Sequence, residues 1–586
     1  MTDIDTPVVI IGAGPVGLAT ALVLGRHGVR SVVCEQYGGI NPHPRAHVVN
    51  TRSMELFRAW GIADAVRADA VDPAQAGTIL WKQTLAGEPL GRIDFADGTQ
   101  NSLTQRAHAS AEQLASCAQD RVQQHLLDAV LAQGAAAVHY DTTVVEVTDH
   151  GDAVDVTLDG AGGRQILRTR YVVAADGAVG STRDKLGIAM EGSPVLGHQL
   201  NIYFHADLSP WMRQDPALLV WLINDTSPGV LIGMDGARRW TFQRSFDPAV
   251  ESPQDYPPER CAQIIRDAVG TTELDVDIRS VGSWTLTART AETYRSGRVL
   301  LVGDAAHQFP PTGGLGMNSG LADADNLGWK LAAVLGGRAS DALLDSYERE
   351  RRPIAVENAR HSMLNAIKMA EVGIGPETAA IAARLAGPDP AVAAAERRRI
   401  AEAVPRQRPH FDALNQEIGY VYGAARQVFG VGGPPPSATD YTPTAVPGAR
   451  LPHAWVERDG ERVSTHDLLG PGFTLITGPK GTGWADSLAE PCPESGEDSG
   501  AQPAKPGEPG EPGEPAETWE GMVQRTVVIG RDVTSPDGRC PELLGIGADG
   551  ALLVRPDGHI AWHSTGGSTP ASALADLLRG AERPAQ

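Results

Sequence analysis

Cysteine is scarce in this chain and never clustered. The five residues, Cys34, Cys117, Cys261, Cys492 and Cys540, are odd in number, and no two stand as CxxC. That spacing argues against a disulfide framework and against a zinc site, and no metal is expected. Positive charge is also in short supply, because 50 Lys and Arg face 72 Asp and Glu and leave a formal charge of −22. A general nucleic-acid binder needs a basic face to neutralise phosphates, so that class is set aside. A locally basic pocket for an anionic cofactor remains open. No uncharged run approaches the length of a bilayer span. The first residues, MTDIDTPVVIIGAG, put acidic side chains ahead of the apolar run and offer no small-residue cleavage site, unlike a secretory leader. A GxSxG elbow is missing as well, so no nucleophilic serine is expected. These absences lead to the expectation of a soluble cytoplasmic protein that binds neither nucleic acid nor membrane.

What is present is enough chain for several cores. At 586 residues, two to four domains are expected. Pro7–Ile11 and Ser31–Glu35 read as strands around an Ala/Leu-rich helix, a βαβ signature. In the middle, Asn201–Ala206, Leu218–Ile223, Gly229–Met234 and Trp240–Arg244 read as short strands of an antiparallel sheet. Helical sequence runs from Gly320 to about Val404, and a Pro/Gly-richer region follows Pro405. Glu490–Glu517, with its GEPGEPGEP run, is low in complexity and reads as a flexible insert. Strand-like Arg525–Ile529 and Ala551–Val554, with a turn at Pro556-Asp557-Gly558, mark folded chain beyond it.

Two motifs carry chemistry. In VVIIGAGPVGLATALVLGRHG, Gly12, Gly14 and Gly17 have GxGxxG spacing directly after an apolar strand. Gly12 permits the tight turn, Gly14 lets backbone approach a pyrophosphate, and Gly17 allows close helix–strand packing. Pro15 opens the helix, and Glu35, followed by Gln36, ends the next strand where it can accept hydrogen bonds from a ribose. This motif alone does not separate FAD from NAD. The second runs from Gly297 to Leu331 as GRVLLVGDAAHQFPPTGGLGMNSGLADADNLGWKL. Asp304 sits at a strand end, fit to hold a polyol. The loop Pro310–Asn318 is nearly free of bulky side chains, so its backbone can lie along a flat ring. A helix beginning near Gly316 adds a positive pole suited to the negative charge of a reduced flavin. Together they select FAD.

With these motifs the chain resembles the class A flavoprotein monooxygenases, the group of p-hydroxybenzoate hydroxylase, phenol hydroxylases, chlorophenol monooxygenases and actinomycete polyketide-tailoring hydroxylases. The likeness rests on GxGxxG at Gly12–Gly17, a DG motif in AADGAVGSTR with Asp176 and Gly177, and a GD motif at Gly303-Asp304, and it spans roughly residues 5 to 400. It implies an α/β fold: a Rossmann-like FAD-binding domain with an inserted, mainly antiparallel β-sheet substrate domain and a C-terminal thioredoxin-like domain. The expected parts are an FAD-binding segment 1–180, with a stretch near 76–104 joining the substrate domain, the substrate sheet at 181–290, a returning FAD-binding segment with long helices at 291–404, and 405–586 with its insert 490–517. Lacking CxxC, the last part is expected to be structural.

By the same resemblance Asp304 contacts the ribityl chain, Asp176 and Gly177 help bind FAD beside the NAD(P)H path, and Gln119 lies near the ribityl and phosphate groups. Arg45, in HPRAHVVNTRSMELFRAWG, lies beside the flavin. Arg45, Pro310 and Gly313 are assigned to positioning the flavin, with no acid or base residue assigned. Pro311, Gly314, Gly316, Met317 and Asn318 are cofactor contacts. No second GxGxxG occurs in a strand–helix context, so NADPH or NADH is expected to dock transiently. O2 then yields a C4a-hydroperoxyflavin that hydroxylates a phenolic or polycyclic, polyketide-like aromatic. Tyr203, Trp221, Phe242 and Gln243 are the candidates for the substrate wall, and a homodimer is possible. Baeyer–Villiger or epoxidising chemistry, a flavin reductase or dehydrogenase, and a non-catalytic flavoprotein scaffold are the alternatives that flavin motifs do not separate.

Overall fold

The computed structural model describes residues 4–96, 102–423, 437–488 and 522–581. The expected insert at 490–517 and Cys492 lie outside the described residues. The chain begins with β1 (Thr6–Ile11), α1 (Pro15–Arg26), β2 (Ser31–Cys34) and α2 (Thr51–Trp60). A hairpin of β3 (Thr78–Lys82) and β4 (Pro89–Asp94) precedes α3 (Gln119–Gln133), β5 (Ala136–His139) and β6 (Gly163–Ala174). The middle holds β7 (Met190–His205), β8 (Leu219–Leu222), β9 (Gly229–Gly233), β10 (Arg239–Phe246), α4 (Pro258–Val269) and β11 (Asp277–Ala291). Then come β12 (Val299–Leu301), α5 (Leu315–Leu335) and α6 (Asp345–Lys368). Near the end lie β13 (Phe473–Thr477), β14 (Val523–Val528), β15 (Ala551–Val554), β16 (Ile560–His563) and α7 (Pro570–Leu578).

The first sheet has a parallel core ordered β12-β6-β1-β2-β5. Val8, Val9 and Ile10 of β1 are fully buried, as expected for a strand covered on both faces. The sequence of α1 is apolar almost all round, so it is buried rather than amphipathic, and it packs against α5 and α3. Both ligand-binding motifs therefore end on the carboxyl edge of one sheet. The helical sequence after Gly320 is not one stretch: α5 closes at Gly336, and α6 is a separate helix.

The second sheet runs β11-β7-β10-β9-β8-β3-β4, antiparallel except where β8 pairs with β3 in parallel. Along β7 the apolar side chains Leu200, Ile202 and Phe204 face one side and pack with Cys261, Ile264 and Ile265 of amphipathic α4. Alternation sends Asn201 and Tyr203 to the other side, toward the first sheet. The C-terminal sheet is ordered β14-β13-β15-β16, with β13 and β14 parallel and the other neighbours antiparallel, consistent with a thioredoxin-like arrangement. Its Cys540 is a buried lone thiol pushed up to about 12 by burial.

This last unit is fastened by buried charge. Arg555 donates to Glu350 of α6 at 2.7 and 2.9 Å, and Lys330 of α5 donates to the same carboxylate at 2.7 Å. Arg450 donates to Glu55 of α2 at 2.8 Å, and Arg52 donates to the Asp557 carbonyl at 2.7 Å. Among the described residues no helix is long and apolar enough to cross a membrane.

Candidate active site

A cavity of about 2240 Å³ runs from the carboxyl edge of the first sheet to the inner face of the second. Single-ligand pockets usually measure roughly 300–1,000 Å³. The space therefore accommodates a dinucleotide and a second large molecule together.

At the first end, Gly12 turns with φ +100, and a Cβ there would stand 2.5 Å from the Ala175 carbonyl. Gly14 has open space where a side chain would be. It caps α1 with no side-chain acceptor, leaving the first N–H groups of the helix free for an anion. Glu35 is held in place because its carboxylate accepts the Ala13 N–H at 2.8 Å and the Tyr37 N–H at 3.0 Å. Gln123 of α3 donates to the Ala13 carbonyl at 2.7 Å, a brace that the sequence reading missed. Gly17 does not line the cavity; its Cβ would lie 2.0 Å from the Gly12 carbonyl, so its part is helix–strand contact.

Farther along, Gln36, Arg45, Gln119, Asp176, Gly177, Asp304 and the glycine loop all border the same space. Gln119 accepts the Ala46 N–H at 3.3 Å and so ties down the Arg45 segment. One Asp176 oxygen accepts the Thr182 N–H at 3.0 Å, while the other is buried with no partner among the described residues. Asp304 opens to the cavity, and the protein packed around that cavity pushes its carboxyl pKa up against the pull of His307 and Arg45. His307 is not at the surface of the site. It is fully buried, pairs with Asp323 at 2.7 Å and stacks on Phe309.

The stretch that follows, Pro310 to Met317, puts Pro310, Pro311, Gly313, Gly314, Gly316 and Met317 on the cavity wall. Gly313 and Gly314 have φ of +115 and +65, and a Cβ on Gly314 would press on Val48 at 2.9 Å. Gly314 caps α5, again without a side-chain acceptor. Asn318, expected as a cofactor contact, does not reach the cavity. Its side chain is consumed locally: Nδ2 donates to the Val48 carbonyl at 2.9 Å and Oδ1 accepts the Asn50 N–H at 3.0 Å.

These residues fit FAD. Two uncapped helix N-termini, a bare glycine turn, an unpartnered Asp176 oxygen and the Asp304 carboxyl supply donors for phosphates and acceptors for polyol hydroxyls along one space. When bound, the flavin supplies two-electron reduction and activation of O2. The chain's own part is to position the ring along the loop backbone and to enclose the space against water.

The second end is floored by the inner face of the second sheet. Trp221 and Gln243 line it, as do Ile79, Leu219, Val230 and Ile232. Two other substrate-wall candidates do not. Phe242 is fully buried on the opposite face with Leu200 and Ile202, as strand alternation requires of the neighbour of Gln243. Tyr203 lies on the inner side, but its hydroxyl is engaged by Arg239 at 2.9 Å and His205 at 3.0 Å, clear of the cavity. Asn201, Phe411 and His410 line this end and were not foreseen. His410 is held neutral, its pKa lowered to about 3 by burial and by nearby His361.

A flavin-dependent oxidoreductase with its own substrate chamber is what the fold and the cavity define. The chain belongs to the FAD-dependent aromatic-ring hydroxylases, the class A flavoprotein aromatic monooxygenases. A family model described as an FAD binding domain matches residues 5–362, and one described as aromatic-ring hydroxylase, C-terminal, matches 506–581. Tetracenomycin A2 monooxygenase-dioxygenase of Streptomyces glaucescens is 32% identical over 608 residues, covering 100% of this chain and 97% of that protein. The crystal structure of the flavin-dependent monooxygenase PieE with FAD and substrate is similar with a TM-score of 0.84 and 29% identity, covering 99% of this chain and 100% of that one. That of aklavinone-11 hydroxylase with FAD and aklavinone gives 0.78 and 30%, covering all of both chains.

Proposed function

We propose that this monooxygenase hydroxylates a fused polycyclic, polyketide-like aromatic and draws its electrons from NAD(P)H. The balance is substrate C–H, O2, NAD(P)H and a proton giving the hydroxylated product, NAD(P)+ and water. The observation that carries the reading is the size of the cavity, about 2240 Å³, which runs unbroken from the dinucleotide end to a wall that includes Trp221, Val230 and Ile232. A single small phenol leaves most of the space beyond the dinucleotide unfilled, whereas a flat fused-ring system fills more of it and excludes water. The relatives named for tetracenomycin and aklavinone support the same substrate class. NAD(P)H is assigned as a docking co-substrate because the chain carries a single GxGxxG in strand–helix context.

The test is NADPH and NADH oxidation by the FAD-loaded protein under 18O2, with hydroxyanthraquinones and simple phenols as substrates. Faster reductant use with one labelled hydroxyl in the polycyclic product is expected. A ring-expanded lactone, or turnover without label, sinks the hydroxylation reading.

A further inference from the structure

Two carboxamides stand side by side on the sheet that floors the cavity. Asn201 of β7 and Gln243 of β10 are directly opposed in the antiparallel ladder, and both line the cavity. Opposed residues of such a pair place their Cβ atoms about 5 Å apart. Asn201 is only 4% exposed and its Oδ1 is buried without a partner. Neither carboxamide takes a hydrogen bond from or gives one to any described residue. Burying the Asn201 carboxamide unpaired is costly, and a core position with no polar duty would carry an apolar side chain, as Val230 opposite Gln243 does.

The pair sits at a defined place along the floor. Gly282 lies opposite Asn201 on β11, and His43 stands over it, 3.7 Å from where a Cβ would be. His43 belongs to the segment that carries Arg45 and Val48 along the cavity, and Val48 packs on Gly314, so this end leads to the glycine loop. In the other direction the same row continues through Val230 to Trp221, each directly opposite the last. Three strand spacings of about 4.8 Å separate Asn201 from Trp221, roughly 14 Å in all. The row carries two carboxamides at the His43 end and an aromatic ring at the far end, where the Trp221 Nε1 is also buried without a partner.

We propose that Asn201 and Gln243 form a carboxamide clamp that reads a hydroxyl set beside a carbonyl on the ring presented to the flavin, while the remaining fused rings lie along Val230 and Trp221. The inference rests on the polycyclic hydroxylase reading and names which ring enters first. Each carboxamide holds one acceptor and a donor group, so the pair donates to a carbonyl and accepts from a neighbouring hydroxyl at once. A carboxylated substrate calls instead for a guanidinium fork, and neither member of the clamp carries charge. A clamp of this kind orients the ring, because only one edge of a hydroxyquinone satisfies both side chains.

The experiment is calorimetric titration of the FAD-loaded protein with 1,8-dihydroxyanthraquinone and with unsubstituted 9,10-anthraquinone. Wild type is expected to bind the hydroxylated probe about tenfold tighter, the worth of one or two net hydrogen bonds. In Asn201→Leu and Gln243→Met the preference should shrink toward unity, the hydroxylated probe losing more than the unsubstituted one, which has only the carbonyl contact to lose. Equal weakening of both probes in the variants, or an unchanged preference, overturns the clamp. If wild type binds neither anthraquinone yet binds phenol, the polycyclic reading falls and the clamp falls with it.

Discussion

Asp304 shows how a single side chain is made ready for a ligand rather than for the folded chain. Its carboxyl faces the cavity, and burial raises its pKa. Bound hydroxyls that donate to it would find the carboxylate open to the cavity. Asp304→Ala should therefore weaken FAD affinity by at least tenfold, as hydrogen bonds to a charged group are worth about 1.5–3 kcal/mol. Flavin retained after gel filtration, quantified by absorbance, checks this; full occupancy in the variant would remove Asp304 from the cofactor site. Asp304 was legible because the GD motif is local: strand end, loop and helix are contiguous in sequence. Asn201 was not. Its position depends on which face of β7 turns inward, and NIYFH offers bulky side chains on both faces. Phe242 and Gln243 could not both line one wall, since adjacent strand residues point to opposite faces. The phase was set by α4, whose apolar stripe claims Leu200, Ile202 and Phe242.

At the scale of elements, the glycine loop and the Arg45 segment are one unit. Asn318 on the first turn of α5 bonds the Val48 carbonyl and the Asn50 N–H, and Asn50 caps α2 by accepting the Ser53 N–H at 2.9 Å. Asn318→Ala would leave two buried backbone groups unpaired at the junction of α5 and α2. The expected cost is about 2–3 kcal/mol of stability with a loosened Arg45 segment. Thermal melts and FAD titration measure both, and a variant with wild-type melting and affinity would show that the junction is held elsewhere. The short range of these motifs made β1, α1, β2 and the start of α5 readable from spacing alone. The parallel pairing of β3 with β8 was harder, because its partners lie more than a hundred residues apart and nothing in either strand names the other.

For the whole molecule, the C-terminal unit is held by ion pairs that are worth little in sum but expensive to break singly. Glu350 serves both Arg555 and Lys330, which lower its pKa to about 2 against burial. Glu350→Ala would strand two buried cations, a loss of about 3–5 kcal/mol seen as a lower Tm. Glu350→Gln should cost less, since it keeps a hydrogen-bond acceptor; equal melting of all three proteins would place the fastening elsewhere. The same unit is built to fail in acid. His453 is lowered to about 3, and His466 and His559 to about 4, chiefly by burial. A depressed folded-state pKa gives stability that is present above the ordinary value of 6.5 and lost as pH falls toward the folded value. Within that window each such histidine contributes a slope of about 1.4 kcal/mol per pH unit. Melting temperature should therefore drop steeply between pH 6.5 and 4, well before carboxylates such as Glu350 protonate. His559, its ring tilted 30° against Tyr422 with centroids 4.2 Å apart and bonded to the Asp557 carbonyl at 3.2 Å, is the position to probe. His559→Asn should flatten the pH dependence by about one histidine's share, at some cost at neutral pH. An unchanged slope in the variant would mean that the acid sensitivity arises outside this interface and that the histidines are passengers in it.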